Sequence, residues 1–386
     1  MRKLTILQIA PYYPPYLGGQ EIYVQSLSEK LVERGHNVTV YTSDFCPNIK
    51  LSRTEEQNNV QIYRYKTLIR VMKNPITPTM YKDLKERIDD FDIVHVHNEH
   101  TFQAQITSII KSKMENQIPV ILGVHGQLKF GVLFKDFIEK VYRWSIGTYI
   151  YKVVDKIITL SSSDKNFIQR HGVPKEKIEV IPNAIDIEKI NSLANKAKDK
   201  IDSIIGRYEL SRYKFKILFV GPVIKRKGID TAIKAISLLR KSIPNVILIV
   251  TGNGNFLEKA KKMVNKLNLD KNILFTNRVP YLELLALYQI ADLVILPSRS
   301  EGLPTTLLEA LALKKKVIAS SLPSIKEYFY NKIPLVNSDD SEALCIAIKS
   351  ILMESSKYIE NIDIQNFDWN IVSQKIENIY NKLVNR

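Results

Sequence analysis

The sequence predicts an α/β protein made of two doubly wound domains with parallel sheets. Its 386 residues, 45% of them apolar, are enough for two hydrophobic cores. Short apolar runs alternate with helical stretches along the whole chain, which is typical of parallel α/β sheets. No internal repeat and no low-complexity tract interrupts this alternation.

The first domain is predicted over residues 1–185. A helix over 21–34 ends at Gly35, a residue type that commonly terminates helices. A long aromatic helix is expected over 132–151. The predicted strands cover residues 4–10, 38–41, 60–65, 92–97, 120–124, 156–160 and 178–181.

The second domain is predicted over residues 186–364 and repeats the same alternation. A final segment, 365–386, is expected to hold a helix that runs through Leu383. The predicted strands of the second domain cover residues 216–220, 246–250, 273–275, 292–296 and 316–319. Its predicted helices cover residues 187–207, 229–241, 256–267, 281–290 and 304–313.

The composition indicates the cellular compartment of the protein and the charge of its binding partners. The 56 basic and 40 acidic residues give a net charge of +16, so anionic partners are expected. Cys46 and Cys345 are the only cysteines and lie far apart, which argues against disulfides and a zinc site. No apolar run is long enough to span a bilayer. Pro11 interrupts the apolar start without a small-residue cleavage site, so a cytoplasmic protein is expected.

The stretch 297–328 carries the most specific pattern. The predicted strand 292–296 runs into Pro297-Ser298, and Glu301 lies in the loop that follows. Glu309 lies about two turns along the next helix. Ligands of open α/β sheets bind at the carboxyl ends of strands, so both carboxylates are placed to meet a ligand.

The start of the same helix is suited to an anion. Pro304 fits the first turn, where its missing N–H is no loss. The amides of Leu303, Thr305 and Thr306 face outward at this helix N-terminus, which suits a phosphate. The two carboxylates can accept hydrogen bonds from hydroxyl groups, and a site for an anion lies beside them. This combination indicates a binding site for a nucleotide sugar.

Other loops after predicted strands carry glycine, histidine or positive charge. Gly18-Gly19 follows the first strand and lets the backbone approach a ligand closely. His125-Gly126 follows the strand 120–124, and Gly252 follows the strand 246–250. The basic loop 225–228 can stabilise a departing diphosphate, because negative charge builds on it as a sugar–phosphate bond breaks.

The motif Glu301-x7-Glu309 within Pro-Ser-x-x-Glu-Gly resembles the signature of glycosyltransferase family four. The resemblance covers nearly the whole chain, including the Phe-x-Trp at the start of the final helix. It implies the GT-B architecture, in which two Rossmann-like domains face each other across a cleft and the C-terminal helix (365–386) crosses back to the first domain. It also implies retaining transfer of a sugar from a UDP- or GDP-sugar, without a metal or another cofactor.

The resemblance assigns roles to individual residues. Glu301 is expected to contact the transferred sugar, Glu309 the ribose, and His125 the 6-hydroxyl of the sugar. The implied catalytic residues are His125, Lys227 and Glu301. The implied substrate-binding residues are Gly18, Gly19, Arg226, Lys227, Gly252, Arg278, Glu301, Gly302, Leu303, Pro304, Thr305 and Glu309.

The chain departs from the family pattern near the same pocket. Pro222 stands where an arginine is expected, which leaves Arg226 or Lys225 as substitutes. The other departures are Ala184 for Gly, Asn277 for Gly, and the basic run 314–316 for a small-residue turn. None of these removes a carboxylate or Lys227.

Three other function classes would require features that differ from those of this sequence. A GT-B isomerase or epimerase of sugar nucleotides would share the cleft but not the Pro-Ser-Arg-Ser-Glu-Gly stretch. A nicotinamide-dependent oxidoreductase requires a Gly-x-Gly-x-x-Gly after the first strand, which is absent. A non-enzymatic basic binding protein is the third alternative, but the charge is spread widely and forms no nucleic-acid motif. His95 and His97 share one face of a strand, but the resemblance requires no metal there.

The acceptor is expected to be a glycan or a lipid-linked sugar, in cell-surface polysaccharide, glycolipid or protein glycan assembly. The segment 128–156 mixes aromatic and basic side chains, which suits an anionic membrane surface at the inner face. The alternative is that its aromatic stripe belongs to the core. The side chains concerned are Phe130, Phe134, Phe137, Tyr142, Trp144, Tyr149, Tyr151, Lys129, Lys135, Lys140, Arg143, Lys152 and Lys156.

Overall fold

The computed structural model describes residues 2–16, 18–113, 118–126, 140–353 and 362–385. The chain divides into two compact units. Unit one comprises Met1–Ala184 and Trp369–Arg386, and unit two comprises Ile185–Asp368. The last helix therefore belongs to the same unit as the first strand.

Sixteen strands lie within the described residues and form the sheets of the two units. They are β1 (Thr5–Ile9), β2 (Asn37–Ser43), β3 (Thr54–Gln57), β4 (Val60–Tyr65), β5 (Ile69–Val71), β6 (Asn74–Ile76), β7 (Ile93–His97), β8 (Val120–Val124), β9 (Lys156–Thr159), β10 (Ile178–Val180), β11 (Phe215–Val220), β12 (Val246–Thr251), β13 (Ile273–Asn277), β14 (Leu293–Leu296), β15 (Val317–Ser320) and β16 (Leu335–Val336).

The helices connect these strands. They are α1 (Gly19–Glu33), α2 (Pro78–Arg87), α3 (Phe102–Lys111), α4 (Thr148–Val153), α5 (Ser162–Gln169), α6 (Ile187–Ala197), α7 (Ile201–Arg207), α8 (Ile229–Leu239), α9 (Leu257–Lys266), α10 (Tyr281–Ile290), α11 (Thr305–Ala312), α12 (Pro323–Phe329), α13 (Ser341–Met353) and α14 (Trp369–Val384). A π-helical turn, Arg143–Gly147, precedes α4. The part of the predicted aromatic helix over 132–139 lies outside the described residues.

Each unit holds one large twisted sheet. In unit one the strand order is β10-β9-β8-β7-β1-β2-β4-β3, and β3 alone among these described strands pairs antiparallel. In unit two the order is β13-β12-β11-β14-β15-β16, with parallel pairing throughout the described strands. The order reverses beside β1 and beside β11, and such switch points are where doubly wound sheets bind ligands.

The helix α14 completes the core of unit one. Trp369, Val372, Ile376 and Tyr380 recur at helical spacing and pack with the buried residues of β1 and α1. Tyr380 is fully buried in this cluster. The last helix is therefore part of the first unit's core.

The principal strands and helices predicted from the sequence are present, with ends that differ by a few residues. The helices α2, α3, α5, α12 and α13 were not predicted. The strands β3, β5, β6 and β16 were not predicted either, and each has only two to four residues. Short, half-exposed segments have weak periodicity, so sequence patterns identify them poorly.

Candidate functional site

Two loops meet at the switch point of unit two. One follows β11 and contains residues 221–228, and the other follows β14 and contains residues 297–304. The amide of Arg299 donates to the carbonyl of Arg226 at 2.8 Å. Gly228 has a φ of +71°, and a Cβ on it would lie 1.8 Å from the carbonyl oxygen of Pro297. Only glycine permits this approach of the loops.

Lys227 and Glu301 form an ion pair across these loops. Nζ of Lys227 lies 2.6 Å from Oε1 of Glu301, and the two side chains are 12% and 8% exposed. Burial alone would raise the pKa of Glu301, but the charges of Lys227 and Arg226 outweigh it and lower that pKa. Glu301 is therefore a carboxylate at neutral pH and a poor proton donor.

Arg226 reaches the same carboxylate. Its Nη1 donates to the carbonyl of Ser300 at 2.6 Å and lies 3.4 Å from Oε2 of Glu301. Two cations thus face one carboxylate, and positive charge is concentrated at the carboxyl end of the sheet. Pro222, which stands where the family pattern has arginine, is exposed.

Arg299 holds the second loop, a role that the sequence analysis missed. Its guanidinium donates two hydrogen bonds to Asp230, at 2.9 and 2.8 Å, and also pairs with Asp339. Asp230 lies in the first turn of α8, so the loop after β14 is fixed to the helix after β11. Charged bidentate pairs of this kind are geometrically specific.

Glu309 lies between two tyrosines that the sequence analysis also missed. The hydroxyls of Tyr281 and Tyr288 donate to its two carboxylate oxygens at 3.3 and 3.2 Å. Burial raises the pKa of Glu309 to about 7, although both hydrogen bonds act to lower it. The seven-residue spacing of the tyrosines on one predicted helix was the available signal, because it places them on one face.

The structure places the remaining predicted residues of unit two around these groups. Pro304 is the N-cap of α11, so the helix begins one residue later than expected. Gly302, Leu303 and Thr305 lie at that helix start, and Leu303 is buried. Gly252 has a φ of +137°, and a Cβ there would lie 2.0 Å from the carbonyl oxygen of Gly221.

Arg278 lies in the loop between β13 and α10. It is exposed and follows Asn277, which has a left-handed φ of 59°.

In unit one, His125 ends a buried hydrogen-bonded chain. Gln8 Nε2 donates to the hydroxyl of Tyr380 at 3.2 Å, so Gln8 Oε1 accepts from His97 Nε2 at 2.8 Å. The second ring nitrogen of His97, Nδ1, lies 3.1 Å from Nε2 of His125. The Tyr380 hydroxyl also bonds Nδ1 of His95 at 2.7 Å.

This chain fixes the proton position on His125. Burial lowers the pKa of His97 well below its usual value and that of His125 to about 4, so both rings are neutral. His97 carries its proton on Nε2 and accepts at Nδ1, so His125 donates from Nε2. The remaining acceptor of the His125 ring is Nδ1. Gly123 makes room for the cluster, since a Cβ there would lie 3.0 Å from both His95 Nε2 and His97 Nδ1.

The Gly18-Gly19 loop leads into α1. Gly18 is the N-cap and Gly19 the first helical residue. The carboxylate of Glu21 folds back over this turn, and a Cβ on Gly18 would lie 2.3 Å from its Oε2. Burial raises the pKa of Glu21 to about 7. A carboxyl group at this helix N-terminus was not foreseen.

The membrane expectation for the segment 128–156 is partly corrected. Phe130, Phe134, Phe137, Lys129 and Lys135 lie outside the described residues. Arg143 and Tyr151 are buried, because they pack around Glu99, whose Oε1 accepts from the Tyr151 hydroxyl at 3.0 Å. The prediction that these two side chains face a membrane is wrong. Trp144 and Tyr149 are exposed.

Within the described residues, no three His, Cys, Asp or Glu side chains converge to hold a metal ion. Among the helices of the described segments, none is both long and apolar enough to cross a bilayer.

Family models match both halves of the chain. Residues 201–365 match the model described as glycosyl transferases group 1, and residues 17–189 match glycosyltransferase family 4. Among solved structures, sucrose-phosphate synthase from Thermosynechococcus elongatus aligns with a TM-score of 0.79 at 20% identity, over 99% of each chain. The predicted GT-B fold is confirmed.

Several sequence relatives align over most of the chain. An uncharacterised glycosyltransferase of Methanocaldococcus jannaschii is 30% identical over 100% of both chains. The phosphatidylinositol N-acetylglucosaminyltransferase GPI3 subunit of Saccharomyces cerevisiae is 22% identical, over 98% of this chain and 83% of its own. The UDP-Gal:alpha-D-GlcNAc-diphosphoundecaprenol alpha-1,3-galactosyltransferase of Escherichia coli is 28% identical, over 82% and 81%.

Proposed function

Because the chain belongs to the group 1 glycosyltransferases of family 4, we propose that it moves a sugar from a nucleotide-sugar donor to a hydroxyl of a lipid-linked acceptor, with retention at the anomeric carbon. The observation that carries the proposal is the group of two cations and one carboxylate at the carboxyl end of the unit two sheet: Lys227, Arg226 and Glu301. The site is suited to a diphosphate beside a sugar.

The cations stabilise the leaving group. As the bond between the sugar and the diphosphate breaks, negative charge grows on the diphosphate oxygens, and Lys227 and Arg226 offset it. Both residues are already held at this edge of the sheet beside Glu301, so donor binding requires only that Lys227 turns from the carboxylate to the diphosphate. Glu301 orients the transferred sugar by accepting from its hydroxyl groups.

Glu309 binds the nucleotide through its ribose. Its carboxylate lies on α11 and accepts from the hydroxyls of Tyr281 and Tyr288. Ribose hydroxyls can donate to the same oxygens. Glu301 and Glu309 therefore act on different parts of one donor, and this division differs from the paired carboxyl groups that flank one bond in retaining glycosidases.

We propose same-face transfer on these grounds. The acceptor oxygen forms a bond to the anomeric carbon while the bond from that carbon to the diphosphate oxygen breaks. The acceptor proton passes to the departing diphosphate oxygen, so charge and atoms balance without a redox step. His125 accepts from a sugar hydroxyl through Nδ1.

A lipid-linked acceptor is supported by the names of two relatives, which specify acceptors built on phosphatidylinositol and on diphosphoundecaprenol. The latter name also specifies UDP-galactose, which favours a UDP-sugar here. We place the reaction in the assembly of a glycolipid or a cell-surface polysaccharide.

The test is a thermal-shift panel of UDP-, GDP- and ADP-sugars, followed by product analysis. A true donor raises the melting temperature in proportion to ln(1 + [L]/Kd). With a lipid-linked acceptor, the anomeric proton coupling of the product should match that of the donor, and EDTA should leave turnover unchanged. Conversion of the donor without any acceptor would instead identify a sugar-nucleotide isomerase.

A further inference from the structure

The hairpin formed by β5 and β6 exposes an unusual amount of apolar surface. Leu68, Ile69, Val71 and Met72 are 67%, 56%, 50% and 55% exposed. They lie within five consecutive positions at the start, in the first strand and in the turn of this hairpin. Contiguous exposed apolar side chains of this kind mark an interaction surface rather than a folded core.

The turn of the hairpin is built from residues that do not favour it. Met72 and Lys73 have left-handed φ values of 49° and 69° and join β5 to β6 directly. Two-residue turns of this geometry prefer Asn-Gly, because both positions require a positive φ. An apolar and a basic side chain instead occupy the tip, at a conformational cost that Asn-Gly would largely avoid.

The charged side chains of the hairpin segment itself have one sign. No aspartate or glutamate occurs from residue 57 to residue 82, whereas Lys66, Arg70 and Lys73 lie in the hairpin region and are exposed. Arg70 is engaged within the protein, because its guanidinium lies 3.9 Å from the ring centroid of Phe45. Lys66 and Lys73 therefore supply the charge that can meet a partner.

The turn of the hairpin and the start of β6 are fixed to the ligand-binding edge of unit one. The carbonyl of Lys73 accepts from the Tyr12 hydroxyl at 2.5 Å, and the carbonyl of Pro75 accepts from Gln103 Nε2 at 3.1 Å. Asn74 Nδ2 donates to the carbonyl of His100, in the loop that follows β7. Any partner that binds the tip therefore also lies close to this edge of the sheet.

We propose that the hairpin inserts its tip into the headgroup region of an anionic lipid bilayer. Apolar side chains flanked by lysines match that interface, since the former enter the acyl boundary and the latter meet the phosphate groups. The proposal deepens the proposed function, because docking at this point brings the acceptor edge of unit one to a lipid-linked acceptor.

The experiment is flotation of the purified protein with phosphatidylcholine vesicles, with and without phosphatidylglycerol, at low and high salt. The protein should float with phosphatidylglycerol at low salt and bind less as salt screens the charges. K66E combined with K73E should lower the partition coefficient about 30-fold or more, at about fivefold for each lysine lost near the surface. I69S combined with M72S should lower it without changing its salt dependence.

The matched controls lie on unit two. K262E combined with K266E changes the net charge by the same amount on exposed positions of α9, and I346S removes an equally exposed apolar side chain. These variants should float like the wild type. Equal loss in hairpin and control variants would show that net charge alone drives binding, and would overturn the proposal.

Two further outcomes distinguish a failure of the hairpin proposal from a failure of the proposed function. A wild type that stays unbound yet transfers sugar to a lipid-linked acceptor in detergent would refute the hairpin proposal and leave the function intact. A wild type that floats but uses no lipid-linked acceptor would refute the acceptor class alone. If M72S instead converts a dimer to a monomer in sedimentation and leaves flotation unchanged, the tip contacts a second copy and the proposal is wrong.

Discussion

The amine of Lys227 lies 2.6 Å from Oε1 of Glu301, although the two residues follow different strands of the unit two sheet. The pair has a consequence for catalysis. A diphosphate that engages Lys227 must share it with Glu301, so the carboxylate and the leaving group compete for one cation. Arg226, at 3.4 Å from the same carboxylate, can compensate Glu301 while Lys227 turns to the diphosphate.

We expect Lys227→Ala to lower kcat more than donor affinity, because charge on the diphosphate grows as the bond breaks. A charged hydrogen bond contributes about 1.5–3 kcal/mol, which corresponds to a loss of about 10–150-fold in kcat. Arg226→Ala should show the same pattern more mildly. Steady-state kinetics with the identified donor measures both, and unchanged turnover in Lys227→Ala would show that the loop has no catalytic role.

Glu301→Gln and Glu309→Gln should impair different steps, turnover in the first variant and nucleotide binding in the second. Loss of Glu301 should lower turnover while free nucleotide binds as in the wild type, because this carboxylate serves the sugar. Loss of Glu309 should weaken binding of the free nucleotide about 10–150-fold, as expected for a hydrogen bond to a charged group. Calorimetric titration with the nucleoside diphosphate separates them. Equal affinities in both variants and the wild type would remove the ribose assignment.

Nucleotide binding should release protons from Glu309 near neutral pH. Burial raises the pKa of Glu309 to about 7, and ribose hydroxyls that donate to the carboxylate favour the ionised form. Affinity should therefore rise as pH increases towards and through 7. Calorimetry in buffers of different ionisation enthalpy counts the protons released, and Glu309→Gln should abolish the release.

The same group should make the free protein less stable as pH rises. Its pKa in the folded protein, about 7, exceeds the ordinary glutamate value of 4.5, so folding favours the protonated form. The stabilisation is present at low pH, declines between these values and is lost above 7. The free energy of unfolding of the wild type, relative to that of Glu309→Gln, should therefore fall as pH rises. A difference between the two proteins that is independent of pH would contradict this prediction.

His125 should remain neutral, with its proton on Nε2, from pH 5.5 to 8. The chain through His97 and Gln8 assigns this tautomer, and burial lowers the pKa of His125 to about 4. Nitrogen-15 NMR distinguishes the protonated ring nitrogen from the bare one. The same residue in urea serves as the control and should titrate at about 6.5. A titration midpoint of about 6.5 for His125 in the folded protein would show that the hydrogen-bonded chain through His97 and Gln8 does not form.

Gly228→Ala should destabilise unit two. Its φ of +71° and the 1.8 Å approach of a Cβ to the Pro297 carbonyl make any side chain strained there. Left-handed strain alone costs about 1–3 kcal/mol. Gly206→Ala is the control, because a Cβ on this helical glycine meets nothing within 4 Å, and it should stabilise by about 1 kcal/mol. Calorimetric melting temperatures should move in opposite directions.

Local patterns were sufficient for the fold and for much of the candidate site. The order of strands and helices follows from the period of apolar residues, which neighbouring positions determine. The loops with Glu301, Lys227 and His125 were found because each follows a strand, and parallel strands present their carboxyl ends at one edge. Arg226 was named as one of two substitutes for the missing arginine, and the structure brings it to Glu301.

Tertiary structure alone decided which side chains meet. Gln8 and Tyr380 are 372 positions apart, and His95 and Tyr380 are 285 apart, yet they share one hydrogen-bonded chain. Likewise, Arg299 reaches Asp230 over 69 positions. No local period links such residues, because their contacts depend on how strands are ordered in the sheet. The pKa of Glu309 has the same origin, since it depends on burial beside tyrosines from a neighbouring helix.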